Sequence, residues 1–237
     1  MQAGKGGEML IFLDVETTGL EDIDKIVSIG LVASEDDEVE EFYSLVNEGK
    51  KIPSLASSIN HITNEMIKGK PLLKDTEAYK FLQKHNRPET VIVGHNVKFD
   101  LDKLSSLGFC FNGEVIDTLR VTKHLIPECE FFSLGFLRYE LKLYRGEDRA
   151  ISSHNALSDA LVVKLLFEYL KDITSPQEMI ELSKKNVLLQ KFEFGKYRGQ
   201  FIEEIAYNDR GYLEWMLANL ADIDEDLQYS INYYLQG

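Results

Sequence analysis

Two cysteines, five prolines and a single tryptophan in 237 residues leave little room for a disulfide-stapled or proline-rich chain. Cys110 and Cys129 have neither zinc-site spacing nor a pairing pattern, so free, reduced thiols in a cytoplasmic protein are expected. No stretch approaches the roughly 18 apolar residues of a membrane span, and the opening MQAGKGGE lacks the apolar segment of a secretory signal. Residues 1–8 read instead as a flexible lead-in. Positive charge is also scarce. With 26 basic and 40 acidic side chains the formal charge is −14. That argues against a polybasic coat for nucleic acid or a lipid surface, although bound cations and a local basic patch can reverse the field near one site.

Apolar bulk is plentiful: 44% hydrophobic residues, with 13 Phe and 11 Tyr, suffice for a substantial core. MLIFLDVE, KIVSIGLVAS, EVEEFYSLVN and TVIVGHN read as strands, and GEVIDTLRVTKHL as a strand passing into a helix. TNEMIKG, LKDTEAYKFLQKH, VKFDLDKLSSLG, SLGFLRYEL and NALSDALVVKLLFEYLK read as helices. Strands alternating with helices predict an α/β domain over 9–172. A connecting helix over 173–191 and a small C-terminal module over 192–237, α/β or mainly helical, follow it.

Four acids stand where apolar residues belong. Asp14 and Glu16, two apart on an apolar strand, share one face. In VKFDLDKLSSLG, Asp100 falls between Leu104 and Leu107 on the inward stripe, whereas Asp102 projects outward. Asp159 aligns with Val163, Leu166 and Leu170, opposite Lys164, Glu168 and Lys171. A helix dipole favours a first-turn acid by about 0.3–1 kcal/mol, against several kcal/mol for burying an unpaired carboxylate. An oxygen-rich site for Mg²⁺ or Mn²⁺ resolves the conflict, and two such ions suit phosphodiester hydrolysis. Each acid alone also fits a turn or first-turn position. His154, just before the Asp159 helix with Asn155 as N-cap, can serve as a neutral base near such a site.

These residues carry a family resemblance. LDVETTGL resembles the first motif of the DEDDh (DnaQ-like) 3′→5′ exonucleases, GHNVKFD the second and HNALSDA the third, in family order. The resemblance implies an RNase H-like mixed five-stranded sheet, its second strand antiparallel, flanked by helices. It implies two divalent ions, with Asp14, Glu16 and Asp159 as direct ligands and Asp100 acting through water. It makes His154 the general base, and Thr17, Thr18, Gly19 and Leu20 the turn that grips the terminal nucleotide. His95, Asn96 and Phe99 match substrate-side positions, although His95 also reads as a residue that orders its loop. INHIT resembles the family's I-H-G-I-T segment, with Asn60 where a His usually stands.

FGKYRGQFIEEIAYNDRGYLEWML resembles the small module behind the nuclease domain of exonuclease X-type proteins. Lys184, Lys185, Lys191, Lys196 and Arg198, interleaved with Phe192, Phe194 and Tyr197, make either a single-strand-binding surface or a mini-core with solvated lysines. The expected activity is removal of nucleoside 5′-monophosphates from a nucleic-acid 3′ end, with single-stranded or frayed DNA favoured. An exoribonuclease, a proofreading subunit within a DNA polymerase or repair complex, an RNase H-like endonuclease and a non-catalytic binding module are the alternatives. No polymerase-binding tail can be identified.

Overall fold

The computed structural model describes residues 9–36, 38–147, 149, 151, 154–220 and 223–236, so the lead-in over 1–8 lies outside it. Five strands form one sheet in the order β3-β2-β1-β4-β5: β1 Met9–Thr17, β2 Ile26–Glu35, β3 Glu38–Leu45, β4 Thr90–Gly94 and β5 Glu114–Asp117. Only β2 runs antiparallel to its neighbours, and β1, β4 and β5 are parallel. This is the RNase H-like mixed sheet that the sequence leads one to expect.

Helices α1 Ser54–Asn60, α2 Asn64–Ile67 and α3 Glu77–Lys84 lie between β3 and β4, and α4 Val97–Ser105 joins β4 to β5. Then come α5 Thr118–Leu125, α6 Leu134–Glu140, α7 Ala156–Lys171 and α8 Pro176–Lys184. The chain ends in α9 Ile202–Asn208, α10 Arg210–Asn219 and α11 Glu225–Gln236. The stretch expected as one helix over LKDTEAYKFLQKH is split: a 3₁₀ turn at Leu73–Asp75 precedes α3, and the Thr76 side chain caps α3 at the Tyr79 N–H.

The two-residue period of β1 separates two cores. Met9, Ile11, Leu13 and Val15 face the cluster with Phe81, Leu82, Val97 and Leu104. Leu10 and Phe12 face the other cluster, with Val163, Leu166, Phe167 and Leu170 of α7. Phe12 meets Phe167 edge-on at 5.4 Å, and losing such a buried ring costs about 3–5 kcal/mol. Asp14 and Glu16 continue the Phe12 face, so β1 carries its acids toward the start of α7. Because β2 is covered on both sides, IVSIGLVA is buried throughout.

Met179 and Ile180 of α8 belong to the α7 core, so this helix packs on the sheet domain. A separate core of Phe192, Ile202, Ile205, Leu213, Met216, Leu227 and Ile231 builds the C-terminal part. It is tied back by Asp226, which accepts from both terminal nitrogens of Arg120 at 2.9 and 3.0 Å and from the Val187 N–H at 2.9 Å.

Candidate active site

The chain passes from β1 to β2 and β3 on one side, then returns to pair β4 on the other side of β1. Crevices form where strand order reverses in this way, at the carboxyl ends of the strands. Pairing between β1 and β4 runs only from Met9↔Thr90 to Phe12↔Val93. Beyond it, the Val15 N–H has lost its strand partner and donates instead to Asp100 Oδ1 of α4 at 2.9 Å. Asp100 thus bridges the mouth of the crevice.

Asp159 comes from the first turn of α7. The Asn155 side chain caps that turn at the Ser158 N–H (3.2 Å), and the Asp159 N–H closes onto the Asn155 carbonyl at 2.9 Å. His154, exposed, lies just outside the helix with φ of 59°, a left-handed conformation uncommon for a non-glycine residue and frequent at functional sites. One ligand atom each of Glu16, His154 and Asp159 lie within 4.8 Å of one another.

The approach of α7 to β1 depends on a residue that sequence reasoning passed over. Gly30 of β2 pairs with Asp14, and a β-carbon there would stand 2.2 Å from the Ala156 carbonyl carbon and the Leu157 nitrogen. Only glycine lets the first turn of α7 rest on the sheet beside Asp14. Its signal in the sequence is slight: a lone glycine inside an apolar strand marks a close approach of backbone.

The acids are electrostatically unresolved. Burial holds the Asp14 carboxyl well above the ordinary range, and Asp100, Asp159 and Glu16 raise it further. Burial, then Asp159, pushes Glu16 to about 7. Burial takes Asp100 to about 8 although the Val15 N–H opposes it, and Asp159 to about 6. A divalent cation would relieve this crowding, and the carboxylate oxygens are the donors that hard divalent ions favour.

The remaining candidates divide. The turn after β1 is tightly bonded: Thr17 Oγ1 donates to the Gly19 carbonyl at 2.7 Å, and the buried Thr18 donates its hydroxyl to Asp24 at 2.7 Å. Leu20 stands 82% exposed at the tip. Asn60 explains the departure from I-H-G-I-T. Buried, it donates to the Thr17 carbonyl at 3.2 Å and accepts from the Ile62 N–H at 3.0 Å, so it fastens the end of β1 from within.

His95 spends both ring nitrogens on the protein: Nε2 on the Phe132 carbonyl at 2.7 Å and Nδ1 on the Thr118 hydroxyl at 3.0 Å. Burial pushes its pKa down, and the two contacts order the loop after β4, the role read from the sequence beside the substrate-side one. Asn96, in left-handed conformation at φ 62°, donates its N–H to Asp117 at 2.9 Å and is exposed. Phe99 is half-buried on α4.

The basic stretch near the C-terminal part is largely spent within the protein. Lys184 meets Glu114 at 2.9 Å, Lys185 meets Glu178 at 3.5 Å and Lys196 meets Asp209 at 3.2 Å, while Phe192 is buried. A groove of about 1190 Å³ instead separates the α5–α6 segment from residues 187–201, lined among others by His95, Lys123, Phe131, Phe132, Arg198 and Phe201.

Comparison with known proteins matches residues 11–167 to the Exonuclease family model and residues 192–221 to the Exodeoxyribonuclease X-like C-terminal model. Exodeoxyribonuclease 10 of Escherichia coli (strain K12) is 27% identical over 232 residues, covering 97% of this chain and 100% of its own length. DNA polymerase III PolC-type of Caldanaerobacter subterraneus subsp. tengcongensis is 32% identical over 174 residues, 70% of this chain but 12% of that protein. Among solved structures, Exonuclease X in complex with 5′ overhanging duplex DNA superposes with a TM-score of 0.61 at 25% identity, covering 73% of this chain and 99% of that one.

Proposed function

The chain belongs to the exonuclease family and is a 3′→5′ exonuclease, and from that premise we propose that its substrate is DNA with a single-stranded or frayed 3′ end, released as nucleoside 5′-monophosphates. The observation that carries the site assignment is the convergence of Glu16, His154 and Asp159 within 4.8 Å beside Asp14, at the carboxyl ends of β1 and β4. Near full-length similarity to an exodeoxyribonuclease supports DNA over RNA.

In this reading Asp14, Glu16 and Asp159 hold two divalent ions, Mg²⁺ or Mn²⁺, with Asp100 acting through water. Such ions supply Lewis acidity at the scissile phosphate and charge neutralisation. The residues do the rest. His154 accepts the proton of the attacking water at a ring nitrogen. The capped first turn of α7 fixes the spacing of His154 and Asp159. Leu20, projecting from a turn locked by Thr18 and Asp24, packs against the terminal bases, and Phe99 and Asn96 border the same end of the sheet.

Residues 9–172 form the nuclease unit, 173–191 the connection and 192–237 the C-terminal module. The groove between module and nuclease takes the strand leading to the 3′ end, its aromatic rings offering stacking faces and Arg198 charge, whereas Lys123 is paired with Glu193 at 3.0 Å. Digestion of matched 5′-labelled DNA and RNA single strands with Mg²⁺ or Mn²⁺ tests the proposal. A DNA ladder shortening from the 3′ end, formed faster than the RNA ladder, is expected. Internal cuts alone, cleavage of a circular strand, or faster loss of RNA would refute it.

A further inference from the structure

Lys103 lies on α4 one turn after Phe99 and three residues after Asp100, yet is only 5% exposed. Among the described residues its ammonium group meets no carboxylate. It donates to the carbonyl oxygen of Glu21, in the turn between β1 and β2, and sits 5.3 Å from the centre of the Phe99 ring. A buried lysine without a counter-ion costs stability unless its hydrogen bonds are specific. In a chain with so few basic residues its position between two parts of the candidate nucleotide-binding wall calls for a reason.

The turn it grips is held from the far side as well. Asp24 accepts from the Thr18 hydroxyl and from Lys50 Nζ, both at 2.7 Å, and from the Glu21 N–H at 2.9 Å. Lys50 also donates to the Ile23 carbonyl at 3.3 Å. The peptide unit before Glu21 is thus fixed to Asp24 through its N–H, and the one after it to α4 through its carbonyl. Lys103 thus joins this turn to α4 beside the Phe99 ring, through a carbonyl that also accepts from the Asp24 N–H at 2.8 Å.

We infer that Lys103 is a positioning residue that holds the Leu20 turn and Phe99 at the separation that admits the base of the 3′-terminal nucleotide. This rests on the exonuclease reading above. Among the described residues Lys103 contacts none of the site acids. It acts by keeping the slot between turn and helix pre-formed, so its contribution belongs to binding rather than to the chemical step.

The experiment is steady-state hydrolysis of a 5′-labelled DNA strand by wild type, Lys103→Met and Lys103→Arg, with a normal and with an abasic 3′-terminal nucleotide. Lys103→Met keeps the buried stem and removes the donor. KM for the normal strand should rise about tenfold, the size of one charged hydrogen bond, with kcat within about twofold. Lys103→Arg should recover most of the loss, since it restores a donor and a cation over the ring. On the abasic end the two variants and wild type should converge, because no base fills the slot. Asp24→Ala, which frees the turn from its other side, should give the same pattern and carries the test if Lys103→Met does not fold. An unchanged KM, a loss confined to kcat, or an equal penalty on the abasic end would overturn the inference. A wild type inactive on both strands would instead remove the exonuclease reading itself.

Discussion

Asp100 serves two needs at once. Its Oδ1 satisfies the Val15 N–H that β4 leaves behind, and its carboxyl, pushed to about 8 by burial, adds to the charge that cations must relieve. The two roles separate by substitution. Asp100→Asn and Asp100→Ala should both lose nearly all exonuclease activity. Asn can still accept from Val15, whereas Ala leaves that donor bare at about 1–3 kcal/mol, several degrees of melting temperature in a chain of this size. Equal melting temperatures would show that the bond matters little. Asp24 offers a pH test of the turn. Lys50 first, then Thr18, lowers its carboxyl from 3.8 to about 2. A depressed pKa contributes stability above the unfolded value and loses it as pH falls through the folded one. The stability gap between wild type and Asp24→Asn should therefore be full above pH 4 and shrink toward pH 2; a gap independent of pH would contradict the assignment.

Among elements, α7 and β2 set the tolerance of the site. Gly30→Ala puts a methyl group into the backbone of the first turn of α7. The helix must lift, taking Asp159 and His154 away from Asp14. Overpacking of this kind costs about 1–3 kcal/mol, and kcat should fall at least tenfold with a smaller change in KM, measured on the same labelled strand. Full activity in Gly30→Ala would mean that the approach is not needed. The strands and α7 were legible in the sequence because β-branched apolar runs and a long apolar stripe report their own burial, and the acids were legible because they interrupted those patterns. Gly30 was hard to read because its reason lies 126 residues away, in the backbone of Ala156. The role of Asn60 was hard to read for a related cause: its side chain turns inward to the carbonyl of Thr17, 43 residues away in the chain. The lysines around 184–196 looked like a free basic face because the acids that meet them, Glu114 and Asp209 among them, come from other elements.

At the scale of the whole molecule, a chain of charge −14 folds its least compensated acids into one crevice. Net charge repels a nucleic acid, so in the proposed reading a strand would be held through cations at the crevice and local features such as the groove beside the C-terminal core. That core is not a loose appendage: the Arg120–Asp226 pair and the Asp226 bond to Val187 join it to α5 and the segment after α8. The fold therefore keeps, at the centre of a stable sheet, a cluster that is costly until ions arrive. Melting temperature with and without Mn²⁺, for wild type and Asp14→Asn, tests this most directly. With Mn²⁺ at about 100 times its dissociation constant, wild type should gain about 2.7 kcal/mol, or about 5–10 °C. Without metal, Asp14→Asn should melt above wild type, because a buried acid crowded by three others has been made neutral, and it should gain little from Mn²⁺. An Asp14→Asn protein that melts below wild type without metal, or that shows the full Mn²⁺ increment, would contradict the account.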